Sequence, residues 1–89
     1  MATTKEQLLK VLKGILVKYG HVKAKADLDM KTDLIRGLGL NEIEFSVIIV
    51  EIYECLQDAI PEDEIYTYPE SHSRVEQLID WMYRWTSKK

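Results

Sequence analysis

Apolar residues return every third or fourth position in three separate stretches of this 89-residue chain, and no stretch alternates apolar with polar residues as a half-buried strand does. That pattern points to an all-α fold. The first stretch runs from Thr4 to Tyr19, where Leu8, Val11, Leu12, Ile15, Leu16 and Tyr19 fall on one stripe. Thr3 or Thr4 can cap it, with Glu6 or Gln7 three residues on to answer back, and Gly20 ends it in the left-handed cap position. The second opens at Asn41, which pairs with Glu44 as a capping box, and should end near Asp58, ahead of Pro61. Its core stripe is Phe45, Ile48, Ile49, Ile52 and Leu56. The third opens on Ser73, paired with Glu76 as a second capping box, and runs to about Thr86; Val75, Leu78, Ile79 and Met82 face the core, with Trp81 and Trp85 on the flank.

The connections are unequal in length. His21 to Leu40 has no convincing period, but Leu28, Met30, Leu34, Ile35 and Leu38 can pin it across the bundle, and Gly37 and Gly39 permit a sharp turn into the second helix. Pro61 to Ile65 reads as a short helical turn with proline at its first position, and Tyr66 to His72 as a loop around Pro69. The expected architecture is a single domain over residues 1–89, with three main helices, one short one and a long loop between the first two. A chain of this length stands near the lower limit for a self-sufficient core, so its 46% hydrophobic content must be packed economically.

Several functional classes fall away on composition. A single Cys55 excludes an internal disulfide, and His21 and His72 stand far from it, so no metal-ligand spacing is present. No apolar run approaches the roughly 20 residues of a bilayer span, and Met1 to Lys5 lacks the apolar segment of a signal peptide. A reducing cytoplasm is the expected location. Residues 1–40 carry eight Lys/Arg against four Asp/Glu, a charge of +4, whereas residues 41–89 carry four against eleven, a charge of −7. The lysines are spread along one helix and its following loop without interleaved stacking aromatics, so they form a solvated face and not a nucleic-acid site.

On the second helix a further apolar row, Ile43, Val47, Val50 and Tyr53, lies opposite the core stripe. In a domain this small both faces cannot be covered, so one must look outward.

The hexapeptide Gly39-Leu40-Asn41-Glu42-Ile43-Glu44 resembles the Gly-x-Asp-Ser-Leu-Asp signature of acyl carrier and peptidyl carrier proteins. Three more segments are similar to that family in the same order. Thr32 to Gly39 resembles the loop into the family's second helix, Ile60-Pro61-Glu62-Asp63-Glu64 its Ile-Pro-Asp-Glu-Glu, and Arg74 to Met82 its last helix, often Thr-Val-x-x-Leu-x-x-Tyr-Ile. The chain departs at Asn41 for the motif aspartate, at Glu42 for the serine, and in a longer connection from Tyr66 to Ser73. The resemblance implies an acyl-carrier-protein-like bundle, and in the family the serine receives a phosphopantetheine arm. That transfer needs a hydroxyl oxygen to leave a stable phosphodiester; a carboxylate offers only a labile mixed anhydride. Glu42 therefore implies that phosphopantetheine is absent, and no cofactor is expected.

On the family's corresponding helix, acidic and apolar side chains together dock on partner enzymes. Here the positions of two usual glutamates hold Val47 and Tyr53, while Glu44, Glu51, Glu54 and Asp58 remain beside the row. The expected function is a non-catalytic interaction module that docks through Ile43, Glu44, Val47, Val50, Tyr53 and Glu54, with carrier-protein-using enzymes or a second copy in a weak homodimer as partner. The alternative is a working carrier in fatty-acid, polyketide or nonribosomal-peptide biosynthesis with atypical attachment.

Other candidates have plainer explanations. Glu42 and Glu44 could suggest paired carboxylates, but acids in a first helical turn are favoured by the helix dipole alone. Ser46 lies inside the helix and reads as a surface serine. Cys55 reads as a small core or border residue, His21 and His72 as loop and cap residues, and Trp81 and Trp85 as core members. With no nucleophile–base pair, phosphate loop or metal set, an enzyme is not expected.

Overall fold

In a computed structural model describing residues 4–87, the first periodic stretch forms α1, Lys5–Lys18. Thr4 is its N-cap: the Gln7 N–H donates to Thr4 Oγ1 at 3.2 Å, and the Thr4 N–H donates to Gln7 Oε1 at 2.9 Å. Thr3, the other candidate cap, lies outside the described residues. The helix stops because Gly20 adopts φ +76°, which turns the His21 N–H back to the Leu16 carbonyl at 2.8 Å and the Gly20 N–H to that of Val17 at 3.0 Å. Leu8, Leu12, Ile15 and Leu16 are buried and Val11 is half-buried. Tyr19 departs from the expected stripe and is 42% exposed, since the chain leaves the helix there and its ring turns toward the second helix.

The second stretch forms α2, Glu42–Cys55. Its capping box is as expected, with the Glu44 N–H on Asn41 Oδ1 at 2.8 Å and the Asn41 N–H on Glu44 Oε1 at 3.0 Å. Phe45, Ile48, Ile49 and Ile52 are buried, and Leu56 packs half-buried against them. The helix ends at Cys55, short of Asp58. Past it, the Ala59 and Ile60 N–H groups both fold onto the Leu56 carbonyl, at 2.8 and 3.1 Å, and this turn drives Ile60 into the core.

The short helix lies later than expected. Pro61 begins a run of i to i+3 hydrogen bonds, and α3 proper is Glu64–Thr67, where the Trp81 indole N–H donates to Glu64 Oε1 at 3.1 Å and ties it to the last helix. The supposed loop around Pro69 holds a 3-10 turn, Glu70–His72. It packs through Tyr68, whose hydroxyl donates to the His72 carbonyl at 2.6 Å and whose ring meets Trp81 at 4.7 Å between centroids.

The last helix, α4, is Val75–Thr86, and its start corrects the expected Ser73–Glu76 box. The N-cap is Arg74, whose N–H donates to Gln77 Oε1 at 3.0 Å. Arginine has no side-chain acceptor to complete a box, so the long loop supplies the rest. The Val75 and Glu76 N–H groups donate to the Thr32 and Met30 carbonyls, both at 2.8 Å. Ser73 is instead buried, with its hydroxyl donating to Asp33 Oδ1 at 2.7 Å, while an antiparallel bridge joins Asp33 to Arg74.

Four α-helices and no named strand occur among the described residues, so the fold is all-α. α1 packs against both α2 and α4, and α2 touches α3. The core between them takes Val75, Leu78, Ile79, Trp81 and Met82 from α4, with Trp85 partly buried against it. The long loop is fastened by Leu34 and Leu40, which are buried, and by Leu28, Met30, Ile35 and Leu38, which are partly so. No helix is long and apolar enough to cross a membrane, and no group of three or more His, Cys, Asp and Glu could hold a metal ion, among the described residues.

Candidate docking groove on the second helix

Because the core stripe of α2 occupies one side of the helix, residues half a turn away point to solvent. Ile43, Val47 and Val50 are 76%, 37% and 40% exposed, and they lie in line along the helix at i, i+4 and i+7. At about 100° per residue the same line reaches Glu54 next, and Glu54 is exposed. Tyr53 falls some 80° aside; it is half-buried and packs against the core, so it lies apart from the row. Glu44 is half-buried at the row's start with one oxygen engaged in the cap, and Glu42 is exposed at the first helical position.

The row is one wall of a shallow groove of about 370 Å³ whose other side is closed by Tyr19 from α1, with Ser46, Glu51 and Glu54 completing the lining. Lys18 and Glu51 hold this edge: Lys18 Nζ donates to Glu51 Oε1 at 2.8 Å, and only 14% of the Glu51 side chain is exposed. The Lys18 bond, opposed by partial burial and aided by the Tyr19 hydroxyl, keeps the Glu51 carboxyl below the usual glutamate range. Tyr19 is pushed up in turn, by partial burial and then by its bond to the Glu51 carboxylate. Tyr19 and Lys18 escaped the sequence reading because α1's own period assigned Tyr19 to the core and Lys18 to solvent. An aromatic in the last turn before a glycine stop was the one available signal.

A larger crevice of about 410 Å³ lies where the long loop meets α4, between Arg36, Glu70, Ser71 and Arg74. Among its lining, the Asp33, Ser73 and Gln77 side chains are already engaged. Burial alone would raise the Asp33 carboxyl, but the Ser73 hydroxyl, the Arg36 and Ile35 N–H groups and the Arg36 charge outweigh it and hold the group below the usual aspartate range. The first-turn N–H groups of α4 are taken by Met30 and Thr32, so the start of that helix presents no free N–H groups there.

The opening turn of α2 carries a carboxylate, Glu42, at its first helical position. From Gly39 to Glu44 there is no hydroxyl, and Gly37 crowds the preceding turn so closely that a Cβ there would meet the Asp33 carbonyl oxygen at 2.7 Å. The nearest hydroxyl along the helix, Ser46, is exposed within the groove, a turn beyond Glu42. Cys55 is exposed and not a border residue of the core. The chain is thus a small all-α bundle with an apolar groove along its second helix. Comparison with protein-family models, curated proteins and solved structures finds no match to it.

Proposed function

We propose that this chain is an acyl-carrier-protein-like, non-catalytic interaction module: a carrier-type bundle without the phosphopantetheine arm, which engages a protein partner through its second helix. The observation that supports this reading most is the exposed apolar row Ile43, Val47 and Val50 on the helix that opens with Glu42 instead of a hydroxyl residue. A solvated row of this kind gains by being covered, at about 25 cal/mol per Å² of apolar surface removed from water. A second copy is a poor cover. α2 carries Glu42, Glu44, Glu51 and Glu54 with no basic residue in its last turn, so packing two such helices together sets carboxylate against carboxylate.

Incubation with coenzyme A and a promiscuous phosphopantetheinyl transferase, followed by intact-mass measurement, tests the loss of the arm. The mass should not change. A gain of one phosphopantetheine on Ser46 or elsewhere would overturn the reading and establish a working carrier. Replacing Glu42 with Ser and Asn41 with Asp should make the domain a substrate if the transferase still recognises the surrounding surface.

A further inference from the structure

The crevice between the long loop and α4 is lined by opposite charges that do not pair across it. Arg36 stands on the loop, Arg74 at the start of α4, and Glu70 and Ser71 on the 3-10 turn before it. Among the described residues the ion pairs are Lys5–Asp80 and Lys18–Glu51, so both guanidinium groups lie more than 4.0 Å from the Glu70 carboxylate. All three nevertheless border one space of about 410 Å³, a size within the usual range for a small-molecule site.

The walls of that space are fixed to one another. Asp33 Oδ1 accepts from the Ile35 and Arg36 N–H groups on the loop, at 2.9 and 3.0 Å, and from the Ser73 hydroxyl beside Arg74 at 2.7 Å. The Leu34 N–H adds a bond to the Ser73 carbonyl at 2.9 Å. Both arginines are thus positioned through backbone contacts that leave their guanidinium groups uncommitted. Gln77 accepts the Arg74 N–H through Oε1, and its NH2 remains a donor at the same wall. Counted with Asp33, whose one oxygen already takes three donors, the lining carries two positive and two negative charges. A plain anion seated between the arginines would meet Glu70, and a plain cation at Glu70 would meet the arginines.

We propose that this crevice binds a small α-amino acid as its zwitterion, with the carboxylate received by Arg36 and Arg74 and the ammonium by Glu70. One carboxylate can serve both guanidinium groups, since its two oxygens offer about four lone-pair sites. The ligand bridges charges that the protein holds apart, and its net charge matches that of the lining. The site lies on other elements than the apolar row of α2, so it goes beyond the docking reading and does not depend on it.

The test on the full chain uses L-alanine beside two analogues of similar size that each keep one charge, N-acetylalanine and alanine methyl ester. At low ionic strength, where exposed charges are least screened, alanine should shift the amide resonances of Arg36, Ser71, Arg74 and Gln77. Both analogues should bind at least about tenfold more weakly. Arg74→Gln should weaken alanine by a similar factor, and Glu70→Gln should bring alanine and N-acetylalanine to equal affinity. Neither change removes a backbone bond of the frame, and unchanged thermal unfolding of both variants checks that it persists. N-acetylalanine binding as tightly as alanine to the unaltered chain would overturn the proposal in favour of a plain anion site. The absence of shifts at these amides up to the solubility of alanine would overturn it outright, and neither result touches the mass assay above.

Discussion

Ser73 takes its role from a residue 40 positions away. Its spacing to Glu76 has the form of a helix cap, yet its hydroxyl is spent on Asp33 and α4 is capped by Gln77 and by loop carbonyls. Ser73→Ala should therefore cost about 1 kcal/mol, since water can partly replace the lost donor at the half-buried Asp33, and the loss should appear as loosening of the 30–36 loop in hydrogen exchange. The folded Asp33 carboxyl lies below its unfolded value, so it contributes stability at pH above the ordinary aspartate range of about 3.9 and loses it as pH falls through the depressed folded value. Asp33→Asn should remove that acid-side component. Denaturation midpoints of the two proteins, separated at neutral pH, should converge below that range, and a constant separation down to the most acid pH would contradict the role given to the charge.

The helices differ in what holds them. α1 and α2 each carry a complete reciprocal cap built from residues three apart, so their starts are local properties. Asn41→Ala should accordingly cost on the order of 1 kcal/mol with the fold retained. Ile52 is fully buried where α2 meets its neighbours, and Ile52→Ala should cost about 2–5 kcal/mol through the cavity it opens, whereas Lys10→Ala on the exposed side of α1 should cost almost nothing. Urea unfolding of the three variants ranks them; equal small losses at Ile52 and Lys10 would mean that the helix faces are misassigned. α4 is the contrasting element, because its first turn donates to Thr32 and Met30 and so depends on the loop being in place.

For the whole molecule, the relevant balance is between an apolar row left uncovered and the acidic charge around it. Val47→Glu places a charge on the exposed row and should leave helicity and thermal unfolding nearly unchanged. Tyr53→Glu should behave differently, costing measurable stability because that side chain packs on the core. Sedimentation of the unaltered chain across a concentration series at neutral pH should show a monomer, as carboxylates on both copies oppose pairing of α2 with α2; a dimer abolished by Val47→Glu would reverse that choice of partner. The helical stripes, the caps on Thr4 and Asn41, the outward row and the carboxylate at position 42 could all be read from the chain, because each depends on spacings of three or four residues, or on one residue's chemistry. Packing decided the rest. Tyr19 became a groove wall, Tyr53 left the row, Ser73 bonded Asp33 and the loop capped α4, since helical periodicity sets the direction of a side chain about its own axis but not which distant segment arrives to meet it.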